Sequence, residues 1–158
     1  MNELDQAAQI LERLRTALET ELAQARGQRL LIRALDTQGL FERARQRGVF
    51  NAQLAQLEEA LGKALAAAGK ALGLTQVTLA DLRQAAPEAA QALDSSLADV
   101  RNLAVALREI DAFNHKLGER ALGRLRSTLS AMLPRTVAYD RRGGHQPMEA
   151  LSTSSRVA

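Results

Sequence analysis

Leucine and alanine recur every three or four residues along most of this chain, which is the spacing of a helix with one apolar face. From residue 3 to Leu35 the apolar positions are Leu4, Ala7, Leu11, Leu14, Leu18, Ala25, Ile32 and Leu35. The series weakens between Glu21 and Arg29. The pattern predicts a first long helix over residues 3–35.

A reversal is predicted at residues 36–39, because Asp36 or Thr37 can cap a new helix by accepting a bond from a free backbone amide. The second helix then runs to about Leu72. Its predicted apolar face consists of Phe41, Ala44, Leu54, Leu57, Leu61, Ala64, Leu65, Ala68 and Leu72. The alternative is one continuous rod through residues 36–39, and such a rod would leave its apolar face uncovered.

Residues 73–77 predict a loop, and a short helix follows it. Thr78 and Asp81 have the spacing of a capping box, and Val77 and Leu82 are placed to form a hydrophobic staple around it. The helix that starts here is expected to be short, because Pro87 disfavours a helical conformation in the residue before it. Proline itself suits the first turn of the next helix.

The final helix is predicted from Pro87 to Leu133, where Pro134 ends it. Its apolar face consists of Leu93, Leu97, Val100, Ala104, Leu107, Ile110, Asn114, Leu117, Ala121, Leu125, Leu129 and Met132. Residues 134–158 are polar and contain too little apolar surface to order alone. The chain is therefore predicted to be all-α: an antiparallel coiled-coil bundle of three long helices and a short extra helix over residues 1–133, with a disordered C-terminal tail over residues 134–158.

Composition supports helices and argues against catalysis. The hydrophobic fraction is 46% but aromatic residues make up only 3%, which is typical of helical bundles and unsuited to sheets. The chain has no cysteine, and its two histidines are His115 and His145. His115 lies one turn from Asp111 and from Glu119, which predicts ordinary ion pairs on a solvated helix face. We therefore expect no enzyme activity, no metal site, no cofactor and no small-molecule substrate.

The net charge of +3 gives little support to a nucleic-acid partner. The most basic stretch holds Arg26, Arg29, Arg33, Arg43, Arg45 and Arg47, and the nearby Phe41 and Phe50 are predicted to lie in the core. Stacking aromatics are thus missing, and a solvated arginine-rich face is expected. The N-terminus lacks the apolar stretch of a signal peptide, and no apolar run could span a bilayer. We expect a cytoplasmic protein without membrane insertion.

The last third of the chain resembles a known family. Leu103, Asn114, Leu117, Leu129 and Leu133, followed by the residues from Thr136 through Tyr139-Asp140-Arg141-Arg142 to Gly143, are similar to the C-terminal region of FlgN-type flagellar export chaperones. The resemblance extends from about residue 4 to Gly143. It implies a cytoplasmic chaperone without cofactor, which binds the helical C-terminal segment of hook–filament junction proteins (FlgK/FlgL-like). The chaperone keeps these proteins unassembled and delivers them to the flagellar export gate.

The resemblance places partner binding in the C-terminal part of the chain. The candidate partner-binding residues are Ile110, Phe113, Asn114, Leu117, Ala121, Leu122, Leu125, Leu129, Met132 and Tyr139. Asn114 is expected either to fix the register of the bundle or to bond to a partner helix. Phe113 and Leu122 form a second apolar line that is either core or groove.

Two further questions stay open at the level of sequence. Tyr139 either packs back onto the bundle or anchors the tail at an interface. The alternative function is that of a structural coiled-coil protein that self-associates through the same apolar face.

Overall fold

The computed structural model describes residues 3–74, 78–132, 137–139 and 145–147. Four helices and two short strands follow one another along the chain. They are α1 (Glu3–Ala34), α2 (Thr37–Ala71), α3 (Leu79–Ala85), α4 (Pro87–Met132), β1 (Val137–Tyr139) and β2 (His145–Pro147). The predicted all-α fold of three long helices and a short one is confirmed, and the helix bounds agree with the predicted ones within about two residues.

A tight turn separates α1 from α2, so the alternative of one continuous rod is wrong. Leu35 adopts a left-handed conformation with φ of 53°. Its amide donates to the carbonyl of Ile32, and the amide of Asp36 donates to the carbonyl of Leu31. This pair of bonds forms a Schellman ending, which satisfies carbonyls that the helix leaves free. The Asp36 carboxylate then caps α2 by accepting a bond of 2.9 Å from the amide of Gly39.

The second helix ends in the same way. Gly73 takes the left-handed position with φ of 70°, which glycine tolerates without steric cost. The amide of Gly73 donates to the carbonyl of Lys70, and the amide of Leu74 donates to that of Gly69. Both long helices before the loop therefore end in a Schellman turn.

The predicted capping box at the start of α3 is confirmed. The hydroxyl of Thr78 accepts a bond from the amide of Asp81, and the Asp81 carboxylate accepts one from the amide of Thr78. Val77, the other half of the predicted staple, lies outside the described residues. Leu82 is buried in the core.

The chain divides into two compact units, Met1–Ala121 and Leu122–Ala158. The core of the first unit has two clusters. One joins the N-terminal half of α1 to the end of α2, α3 and the start of α4, and its buried residues are Leu4, Ala7, Ile10, Leu11, Leu14, Ala64, Ala68, Leu82, Ala90 and Leu93. The other consists of Leu18, Leu22, Ala25, Phe50 and Leu107.

The order of residues in these clusters gives the direction of the helices within the first unit. Later residues of α1 meet later residues of α4 and earlier residues of α2. Helices α1 and α4 therefore run in the same direction, and α2 runs against both. This is the up-down-up arrangement that short connections favour.

Three positions predicted for the core of α2 are wrong. Phe41 is 79% exposed, and Ala44 and Leu72 are exposed as well. The inward position near the start of α2 is taken by Arg43, which is buried. A residue two places before Arg43 lies about 200° around the helix, so Phe41 points to the opposite side.

The second unit holds the last turns of α4, residues 122–132, and a short hairpin. Val137 pairs with Pro147, Ala138 with Gln146 and Tyr139 with His145 in an antiparallel register. The polar composition of this segment did not predict the hairpin. The other residues of the predicted tail, and Leu133 at the predicted helix end, lie outside the described residues.

Candidate partner-binding surface

The last three turns of α4 present an apolar face to solvent. Leu122, Leu125, Leu129 and Met132 are spaced by three, four and three residues, which places them on one side of the helix. We call these four residues the leucine face. Leu125 is 38% exposed and Met132 is 76% exposed, with Leu122 and Leu129 between them. Contiguous exposed apolar side chains of this size are unusual on a protein that binds no partner.

Four further predicted residues lie earlier on α4, in the first unit. Ile110 is half-buried and packs against the second core cluster. Leu117 and Ala121 are half-buried, while Phe113 is exposed on one side. The guanidinium of Arg29 lies 4.4 Å from the centroid of the Phe113 ring, so a cation–π contact covers the other side. Of this group, Phe113 offers the most surface to a partner.

Asn114 faces inward and is only 4% exposed. Its side-chain amide donates a bond of 2.7 Å to the carbonyl of Ala25 on α1. Its side-chain oxygen has no partner among the described residues. Of the two roles that the sequence left open, this geometry favours the one that fixes the position of α4 against α1.

Sequence reasoning missed a buried ionic cluster in the first unit. On α4 it begins one turn before Asn114. Glu21 is 2% exposed and accepts hydrogen bonds from Arg43 and from Arg47, the latter at 2.6 Å. Arg47 also donates to Asp111 on α4 at 2.7 Å. These four residues tie all three long helices together, and we call them the ionic cluster.

The ionic cluster corrects the prediction of a fully solvated arginine face. Arg43 is buried and Arg47 is half-buried, because each has a carboxylate partner inside the bundle. Burial lowers the pKa of Arg47, but hydrogen bonds and charges from Glu21 and Asp111 outweigh it and raise the pKa above its usual value. The signal available in the sequence was the position of Glu21, which keeps the helical spacing of Leu14 and Leu18.

His115 behaves as predicted on one side only. Its ring lies 3.4 Å from Glu119 on the exposed surface, whereas Asp111 pairs with Arg47 instead. Among the described residues, no group of three potential ligands could hold a metal ion. The larger described cleft, of about 780 Å³ between α1 and α2, is lined mainly by glutamine, threonine and charged side chains. No histidine lines this cleft, so the cleft offers no histidine that could act as a general acid or base.

Tyr139 lies on β1, where its backbone pairs with His145. Its side chain lies outside the described part of the structure, so its predicted contact stays a prediction. None of the helices in the described residues has a stretch apolar and long enough to cross a bilayer.

Comparison with known proteins identifies a family that the chain matches. The family model described as FlgN protein matches residues 1–147, which is most of the chain. The match includes α1–α4, the ionic cluster, the leucine face and both strands. No curated protein and no solved structure matches the chain significantly.

Proposed function

We propose that this chain, which belongs to the FlgN family of flagellar export chaperones, binds the helical C-terminal segment of hook–filament junction proteins through its leucine face. By covering that segment it keeps the subunits unassembled in the cytoplasm. It then delivers them to the flagellar export gate. Neither a cofactor nor a catalytic step is needed for this role.

The exposure of the leucine face is the observation that supports this proposal. Leucine and methionine at positions i, i+3, i+7 and i+10 of a helix form a stripe into which the apolar side of another helix can pack. An unassembled subunit with an apolar helical end needs such a cover, because free ends would otherwise pair with each other. A few apolar side chains give moderate affinity, which suits a complex that must later release its partner.

The remaining predicted residues take different places in the proposal. Phe113, Leu117 and Ala121 belong to the first unit, where they are exposed or half-buried, and they are proposed as a further contact separate from the leucine face. Ile110 and Asn114 face the core and are proposed to hold α4 in position rather than to touch the partner. Tyr139 and the tail over residues 134–158 are proposed to add contact when the partner or the export gate is bound.

Co-expression with a FlgK/FlgL-like junction protein, followed by co-purification and sizing, tests the proposal. We expect a soluble one-to-one complex that is lost in Leu125→Asp/Leu129→Asp. The matched control is Ser127→Asp/Ser130→Asp, which adds the same charges in the same turns but outside the four positions of the leucine face. Circular dichroism should give equal helix content for both variants. A complex that survives in the leucine variant would contradict the proposed surface.

Delivery to the export gate needs a separate experiment. Cells that lack the chaperone should secrete less junction protein, and the wild-type chain should restore secretion. Leu125→Asp/Leu129→Asp should fail to restore it, while the serine control should succeed. Secretion that is normal without the chaperone would remove the delivery role.

The same exposed face also fits the alternative function of a self-associating coiled-coil protein. Two copies could bury their leucine faces against each other. Sedimentation at increasing protein concentration separates the two functions. A chain that assembles with concentration but captures no junction protein would favour the alternative.

A further inference from the structure

Arginines border the leucine face on both sides. Arg124 and Arg126 are the chain neighbours of Leu125, so each lies about 100° around the helix from it, in opposite directions. Both side chains are exposed. Residues 122–132 contain these two arginines and no acidic residue.

Arg124 and Arg126 share their exposure with Arg101 and Arg108, whereas three other arginines of the chain have carboxylate partners. Arg15 pairs with Glu12, Arg45 pairs with Glu42 and Arg83 pairs with Asp94. Within the part of the chain that the structure describes, neither Arg124 nor Arg126 has a carboxylate partner. The edges of the leucine face therefore carry positive charge that nothing in the described structure neutralises.

We infer that the partner helix carries carboxylates along both edges of its apolar stripe, facing Arg124 and Arg126. This inference rests on the proposed function, because it describes the segment that packs on the leucine face. Charges at the rim of an interface favour a complementary partner and repel a wrong one, and they speed association. The aliphatic stems of arginine can also lie along the apolar stripe while their guanidinium groups reach the carboxylates.

Two synthetic helical peptides test the inference directly. Both carry the same leucine stripe, and they differ only in the flanking positions, which hold glutamate in one and lysine in the other. Fluorescence anisotropy with the full chain should give about fivefold tighter binding of the glutamate peptide at low salt, as expected from two rim ion pairs. The preference should shrink at high salt, because counterions screen exposed charges.

Arg124→Glu/Arg126→Glu should reverse the preference, so that the lysine peptide binds more tightly. The matched control is Arg101→Glu/Arg108→Glu, which reverses two exposed arginines of α4 outside the leucine face and should keep the wild-type preference. Circular dichroism should give the same helix content for both variants.

Three results would count against the inference, and they are distinguishable. Equal binding of the two peptides would overturn the inference about carboxylates. If that equal binding is lost in Leu125→Asp/Leu129→Asp, the leucine face is still supported as the binding surface. A preference that the control variant also reverses would overturn it, because long-range charge would then be the cause. If neither peptide binds, the inference is overturned too. Capture of junction proteins in co-expression would then still support the proposed function.

Discussion

Helix α4 carries the same apolar spacing in two stretches, and only the first is covered. Leu93 and Leu107 lie in the core of the first unit, whereas Leu122 and Leu129 in the second are exposed. The spacing of apolar residues depends on the helix alone, but burial depends on what packs against it. The candidate docking surface is therefore marked by no motif of its own. It is the part of α4 where the apolar spacing of the core continues but the side chains are exposed.

The largest expected effect comes from placing a charge in each stretch. Leu107→Asp should destabilise the chain by about 4 kcal/mol or more, because it removes a packed side chain and buries a carboxylate without a partner. Leu125→Asp should leave the free energy of unfolding nearly unchanged and weaken the capture of junction proteins. Urea unfolding monitored by circular dichroism and a binding assay measure the two quantities. Equal destabilisation by both substitutions would show that the two stretches do not differ in burial.

The second prediction concerns the ionic cluster, which lies beside the covered stretch. Glu21→Ala should cost about 3 kcal/mol, because it leaves Arg43 buried without a carboxylate. Glu12→Ala is the matched control on the same helix, since Glu12 is exposed and pairs with Arg15 on the surface of α1. Urea unfolding of both variants checks the difference. A Glu21 variant as stable as the Glu12 variant would mean that the cluster contributes little.

The third prediction sharpens the assignment of Asn114 to the covered stretch. Asn114→Ala should lower the free energy of unfolding by about 1 kcal/mol, because one hydrogen bond to the carbonyl of Ala25 is lost. Capture of junction proteins by the folded variant should be unchanged. A variant of unaltered stability that binds junction proteins poorly would instead place Asn114 in the partner surface.

The smallest effect is expected from exposed ion pairs at low pH. Arg15, Arg45 and Lys63 lower the pKa of Glu12, Glu42 and Glu59 below the ordinary value of 4.5. Because these pKa values are lower in the folded chain than in the unfolded chain, the ion pairs stabilise the folded chain at pH values above the ordinary pKa. This stabilisation disappears as the pH falls through the lowered pKa values.

Thermal unfolding of Glu12→Gln/Glu42→Gln/Glu59→Gln beside the wild type measures this contribution. The wild-type chain should have the slightly higher melting temperature at pH 7, and the gap should close as the pH falls below 4.5 and through the lowered pKa values. A gap that stays constant over this range would exclude the three ion pairs as its cause.

Helix ends were predictable because their signals are local. Asp36 and Thr78 cap the helices that the sequence assigned to them, and Pro87 begins α4 as expected. Each of these signals depends on bonds within a few residues, so no knowledge of the tertiary structure is needed. The periodic leucines likewise gave the number and type of the long helices.

Burial was less predictable where charged residues take inward positions. Glu21 and Arg43 interrupt the apolar spacing, so the pattern left Glu21 out of the core, placed Arg43 in solvent and placed Phe41 in the core. Their burial depends on a partner that lies 22 residues away in the sequence. Such pairing is a property of the folded bundle, and the sequence pattern of a single helix does not contain it.

The candidate site followed the same rule. Leu125, Leu129 and Met132 were named from their spacing and Leu122 as part of a second apolar line, and all four are exposed in the structure. Asn114 was named for the same reason but faces Ala25. The sequence thus named candidate positions along α4, and only the structure separated the exposed ones from the internal ones.

The left-handed leucine at the end of α1 offers a practical opportunity for protein engineering. Gly73 occupies the equivalent position at the end of α2, so the chain itself provides the template for a replacement. Leu35→Gly would remove a steric strain of about 1 kcal/mol without altering any residue of α4. A sturdier parent chain of this kind would tolerate more amino-acid changes in a screen for altered cargo preference.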